Sequence, residues 1–80
     1  MNDTDVMQSI NKLVDEEHHL LGLAEHGGLT EEQRQQLHAA QVQLDQCWDL
    51  LRQRRAKREF GQNPDEAHVR DASTVEGYKG

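Results

Sequence analysis

Apolar residues recur along the first third of the chain at three- and four-residue steps, at Val6, Ile10, Leu13, Val14, Leu20, Leu21 and Ala24. That period matches the turn of an α-helix and places them on one stripe. Asp3 or Thr4 can cap the start by accepting from the free amides of the first turn. The stretch HGGL at 26–29 ends it: Gly tolerates the positive φ of a helix C-cap, and His26 stands where the helix dipole favours a cation. The pattern predicts a helix over about residues 4–26.

A second helix restarts at once. Thr30 is placed to cap it, Glu31 and Glu32 fall in its first turn, and Gln33 can return the reciprocal bond of a capping box. Leu37, Ala40, Leu44, Cys47 and Leu51 follow in heptad-like spacing with Trp48 beside them, and no breaker appears before Gly61. A helix over 31–60 would be about 45 Å long against about 33 Å for the first. The short connection makes the two antiparallel neighbours. Val6 and Met7 then come near Leu50 and Leu51, and everything past about Arg54 overhangs the first helix. The expected fold is all-α, an antiparallel helical hairpin over residues 1–60 with the longer helix second.

From Gly61 the periodicity stops, and residues 61–80 form a polar C-terminal extension. Asn63, Pro64, Asp65 and Glu66 make a good start for a short helix over 64–70, but Val69, Val75 and Tyr78 are its only substantial apolar groups. The composition reads as a solvated tail lying along the bundle, with a partner-binding tail as the alternative.

Size changes the picture. A chain of 80 residues is one domain at most, and it buries only about 60% of its unfolded surface. Trp48 and Leu50 also widen the apolar face beyond what one partner helix covers. A homodimer forming a four-helix bundle is therefore expected, with Leu37, Leu44, Cys47, Trp48 and Leu51 in its seam. The formal charge of −6 argues against general nucleic-acid binding. No run approaches the roughly 20 apolar residues of a membrane span, and MNDTDVMQSI lacks the features of a signal peptide, so a cytoplasmic setting is expected. The single Cys makes no intrachain disulfide, and no Cys/His spacing resembles a zinc motif.

Two stretches could carry chemistry. In DEEHHLL, residues 15–21, Glu16 and His19 have the Glu-x-x-His spacing of bundle di-iron sites. Both point to the side of the apolar stripe, as do Asp15 and His18, and the second helix offers no matching pair. A metal-binding or redox bundle using Glu16, Glu17, His18 and His19 is therefore a competing reading, and no metal or cofactor is expected. Glu17 falls near the middle of the stripe, where a carboxylate must be paired, edge-exposed or near a dimer axis.

The second stretch is basic: Arg52, Arg54, Arg55, Lys57 and Arg58 hold five of the nine Lys and Arg residues. They complement the negative end of their own helix and can meet Asp3, Asp5 and the acidic tail. Arg52, Arg54, Arg55 and Arg58 are also the residues that could hold an acidic partner. An RNA- or polymerase-associated regulator is a third reading, without an aromatic platform to support it. No nucleophile-base-acid set and no Gly-rich phosphate loop is present, so no enzyme activity is expected.

With LVDEEHHL, the block LDQCWDLLRQRRAKREFGQNPDEAHVR and a closing VEGY, the sequence resembles a family of small actinobacterial proteins of unknown function. The resemblance implies one domain in a cytoplasmic actinobacterial setting, with the tail part of the same unit as the hairpin. The functional expectation is a small non-catalytic interaction module, homodimeric, with a basic helix end.

Overall fold

A computed structural model describes residues 2–76. Two long helices, α1 (Asp3–Glu25) and α2 (Glu31–Glu59), pack as an antiparallel hairpin. A single 3-10 turn (Pro64–Glu66) and a short helix, α3 (Ala72–Glu76), both lie against α2. Among the described residues there is no strand, and no helix is long and apolar enough to cross a membrane.

Reciprocal side-chain bonds start both long helices. The Thr30 hydroxyl accepts from the Gln33 amide at 3.1 Å while the Gln33 side chain accepts from the Thr30 amide at 3.0 Å, the capping box that the spacing predicts. The α1 cap differs from expectation, because Asn2 takes the role ahead of Asp3 and Thr4. Its side chain accepts from Asp5 N–H at 2.8 Å, and the Asp5 carboxylate accepts from Asn2 N–H at 3.2 Å. Two bonds across three residues outweigh the single bond that Asp3 or Thr4 could make. At the turn, Gly28 adopts φ 87° and lets the chain reverse. Gly61, at φ 71°, likewise ends α2 and brings the Gln62 amide back to the Lys57 carbonyl at 2.7 Å.

Val6, Ile10, Leu44 and Leu50 form the core, with Leu13, Val14, Cys47, Leu51 and Ala67 packed against it. Ala67 belongs to the extension, so the tail closes one side of the hairpin core. It continues along α2 towards the hairpin turn. Gln53 Nε2 donates to the His68 carbonyl at 2.9 Å, and Gln46 Nε2 donates to the Arg70 carbonyl at 3.2 Å. Val75 ends the strap, buried at 3% exposure. The short helix expected over 64–70 shrinks to one turn because Ala67 swings to extended backbone (φ −68°, ψ 145°), which lets 67–70 lie flat on α2. Tyr78, also expected to contribute, lies outside the described residues.

Candidate functional site

At about 100° per residue, α2 offers three directions. Ala40, Leu44 and Cys47 look towards α1, while Gln46, Asp49 and Gln53 seat the tail. Nearly opposite the tail seat lies a stripe at seven-residue steps, Leu37, Leu44 and Leu51, flanked by Trp48. On α1, Met7, Val14 and Leu21 repeat the same seven-residue step.

The Asp3–Arg54 bond and a groove shared by Glu17 and Gln41 fix how the helices align. Met7 comes level with Leu51, Val14 with Leu44, and Leu21 with Leu37. These two edges border the contact between the helices, and Trp48 beside them also lines a groove with Arg70 and Val75 of the tail. The hairpin thus carries an apolar edge whose outer α1 members are exposed, while Leu44 is buried in the core and Val14, Leu37 and Leu51 are half-buried. Met7 is 40% exposed, Leu21 42% and Trp48 44%. The groove of Glu17, Gln41, Leu44, Asp45 and Trp48 crosses it near the middle, and half-buried Glu17 and Asp45 are its acidic members.

The basic end has a different organisation. Arg54 and Asp49 are buried, at 5% and 4% exposure. The Arg54 guanidinium donates through Nε to Asp3 on α1, and through one terminal nitrogen to the Pro64 carbonyl and the Asp65 carboxylate, each at 3.1 Å. Arg58 reaches the other Asp3 oxygen at 2.8 Å. The hydrogen bonds from Arg58 and Arg54 hold the Asp3 carboxyl below its usual range, and the bond to Asp3 pushes Arg54 further up. Asp49 accepts from Gln53 at 2.8 Å and stands 3.5 Å from Arg70 Nε and 3.9 Å from Arg52. One planar fork therefore ties α1, α2 and the tail together, and one carboxylate anchors the strap further along.

These contacts redistribute the residues singled out in the sequence. The end past Arg54 is not an unsupported overhang, because Asp3 and the returning tail close around it. Arg54 is committed inside the chain, since its donors are taken by Asp3, Pro64 and Asp65. Arg52, Arg55 and Arg58 keep exposed positions. Leu44 is buried in the hairpin core, Leu37, Cys47 and Leu51 are half-buried, and Trp48 is exposed. Burial pushes the Cys47 thiol up, which disfavours thiolate chemistry. Glu16, His18 and His19 are exposed and Glu17 is half-buried. Among the described residues no three His, Cys, Asp or Glu side chains gather in a metal-binding group.

Asp49, Gln46 and Gln53 are the residues that sequence reasoning passed over. Their signal was available as a polar stripe at helical spacing flanking the apolar Leu50. Between them and the tail runs a broad groove of about 640 Å³ that includes Asp45, Trp48, Arg52 and Val75. Its acids and arginines balance, and its lining holds no nucleophile beside a base.

Comparison with known proteins agrees with this picture of one continuous unit. The family described as protein of unknown function (DUF2630) matches over residues 2–80. Uncharacterized proteins of Mycobacterium bovis and Mycobacterium tuberculosis are each 52% identical over 79 residues, spanning 98% of this chain and 91% of theirs. No solved structure matches.

Proposed function

This chain belongs to the DUF2630 family, and we propose that it works as a small non-catalytic assembly module, a homodimer of hairpins packed face to face in a four-helix bundle. The observation that carries the reading is the exposure of Met7, Leu21 and Trp48 along one edge of the hairpin, beside half-buried Val14, Leu37 and Leu51. Seven-residue apolar repeats on two adjacent antiparallel helices are what a second hairpin of the same kind needs for knobs-into-holes packing. A standard interface takes about 800 Å² from each partner, about one-seventh of the 5636 Å² surface of this chain. Trp48 flanks the stripes as a bulky anchor. The exposed Arg52, Arg55 and Arg58 then form a basic end suited to an acidic partner.

The deciding experiment is the solution mass by light scattering across a concentration series, for wild type, Leu21→Glu and Trp48→Ala. Wild type is expected at twice the 9.2 kDa chain mass, with Leu21→Glu shifted to monomer while its helical circular dichroism persists. A wild-type monomer at all concentrations, or a dimer indifferent to both substitutions, would overturn the proposal.

A further inference from the structure

We propose that the occupant of the groove between α2 and the tail is the chain's own segment 77–80, with the Tyr78 ring seated against Trp48. That segment lies outside the described residues. The inference is independent of the homodimer reading, since both the groove and its occupant belong to one chain.

At about 100° per residue, Asp45, Asp49, Arg52 and Ala56 share one face of α2 and line the groove along its length. That length, from residue 45 to residue 56, is about 16 Å at about 1.5 Å per residue. Trp48 flanks this face on one side, and Arg70 and Val75 of the tail flank it on the other. The described residues leave Trp48 exposed, although an indole carries one of the largest apolar surfaces a side chain can bury.

Three observations choose the occupant. The first is spacing. Short helix α3 lies against α2 with Ala72 half-buried and Val75 buried, and Tyr78 continues their three-residue step. The second is reach. Val75 already lines the groove, and three residues beyond it span at most about 10 Å, which keeps residue 78 within about two turns of α2 from that point.

The third is charge. Two carboxylates, Asp45 and Asp49, stand among the lining residues with two guanidinium groups, Arg52 and Arg70. The lining therefore has no net charge to draw an ionic ligand. A neutral ring with a polar tip suits it, because the ring gains apolar contact with Trp48 and Val75 while the hydroxyl keeps to the polar face. Of the chain's three aromatic residues, Trp48 lines the groove, Phe60 is 80% exposed at the end of α2, and Tyr78 follows Val75 by three residues. Trp48 also borders the groove of Glu17 and Gln41. With Tyr78 seated, the indole is left open only towards that second groove, and a partner meets it from the α1 edge.

The full chain carries one Tyr and one Trp, so energy transfer from Tyr78 to Trp48 reports a single distance. Efficient transfer is expected in the folded wild type, with tyrosine emission recovered in Trp48→Phe and on unfolding in urea. Acrylamide quenching of Trp48 gives the second reading. Tyr78→Ala should raise the quenching towards the value of the unfolded chain, whereas Tyr78→Phe, which keeps the ring, should leave it close to wild type. Helical circular dichroism should persist in both variants, because neither touches the hairpin core. Weak transfer in the folded wild type, or quenching indifferent to Tyr78→Ala, would overturn the proposal. Mixing with an excess of chain carrying both Trp48→Phe and Tyr78→Phe, silent in both signals, separates transfer within a chain from transfer between copies. Transfer lost on mixing would overturn docking within the chain and move Tyr78 onto a second copy.

Discussion

Arg54 on α2 and Asp3 at the start of α1 lie 51 residues apart in the chain and form a hydrogen-bonded ion pair, from which the same guanidinium also holds Asp65 in the tail. Arg54 is buried, so removing its charge leaves Asp3 and Asp65 without their shared partner, and removing its stem opens the packing between three segments. Arg54→Ala should lower the melting temperature clearly more than Arg52→Ala, whose side chain is 64% exposed. Arg54→Lys should rescue only part of the loss, because an ammonium cannot address two carboxylates and a carbonyl with a planar fork. Thermal unfolding of the three variants in one buffer checks the order, and equal losses for Arg54→Ala and Arg52→Ala would contradict it.

The same tie gives the protein an acid-side dependence. Asp3 titrates below its ordinary value of 3.8 in the folded chain, first through the Arg58 hydrogen bond and then through that of Arg54. A group depressed on folding stabilises the fold above its unfolded value, and the contribution is lost as pH falls through the folded one. Wild type should therefore exceed Asp3→Asn in melting temperature at pH 7, and the gap should narrow only below pH 3.8. Arg54, shifted upwards, keeps its proton throughout that range and adds no slope of its own. Melting curves from pH 7 down to pH 2 in matched ionic strength measure the gap, and a constant gap would refute the linkage.

Tail docking depends on polar contacts spaced along one face of α2. Asp49 sits beneath Arg70, while Gln53 and Gln46 bind the carbonyls of His68 and Arg70. Asp49→Ala removes the anchor beside Arg70 and also the acceptor that orients Gln53. Local opening of the strap should then outpace global unfolding. Trypsin cleavage after Arg70 is expected to accelerate roughly tenfold, the change that about 1.4 kcal/mol in an opening equilibrium would give. Mass spectrometry of timed digests reads this directly, and an unchanged rate at Arg70 would show that the other tail contacts, from Gln46, Ala67 and Val75, hold the strap without Asp49.

Local signals made the hairpin readable from the sequence. Thr30 and Gln33 lie three residues apart, so their capping box needs nothing beyond its own turn, and Val6, Ile10, Leu44 and Leu50 follow the helical period. Competing local choices blurred the start of α1, since Asn2, Asp3 and Thr4 can all cap and only the return bond from Asp5 selects Asn2. The burial of Arg54 and Asp49 could not be read from neighbouring residues. It comes from a polar tail folding back across sequence separations of 10 and more residues, as from Pro64 to Arg54. In the basic run, Arg54 and Arg55 look alike as residues, yet one faces α1 and the tail while the other faces solvent. One residue of helical rotation, about 100°, accounts for that difference.

The apolar core and the caps carry stabilities that can be placed on a common scale. Ile10 is 2% exposed at the centre of the core, and its truncation to Ala should cost about 2–5 kcal/mol. For a chain of 80 residues total stability is on the order of 4–12 kcal/mol, so Ile10→Ala should stand near the unfolding threshold at 37 °C. Thr30→Ala removes one reciprocal cap at about 1 kcal/mol and should lower the melting temperature by roughly 4–8 °C. Urea unfolding of both variants tests the ratio, and a cap loss equal to the core loss would mean that the hairpin turn, not the Val6–Leu50 core, limits stability.

Glu17 and Gln41 stand level with each other between the Val14–Leu44 and Leu21–Leu37 layers, and they form one polar layer in an otherwise apolar face. In a four-helix bundle such a layer lies near the interface, where a carboxylate is tolerated only if paired or hydrated. A buried polar layer lowers stability and in return fixes which layers face each other. In the proposed homodimer, replacing it with Glu17→Leu and Gln41→Leu together should raise the melting temperature by several degrees. It should also loosen the choice of register, so that higher oligomers appear beside the dimer at high concentration. Analytical ultracentrifugation beside a thermal melt separates the two effects. A double variant that melts higher yet remains a single dimeric species would show that the outer Met7–Leu51 and Leu21–Leu37 layers already specify the register without help from Glu17.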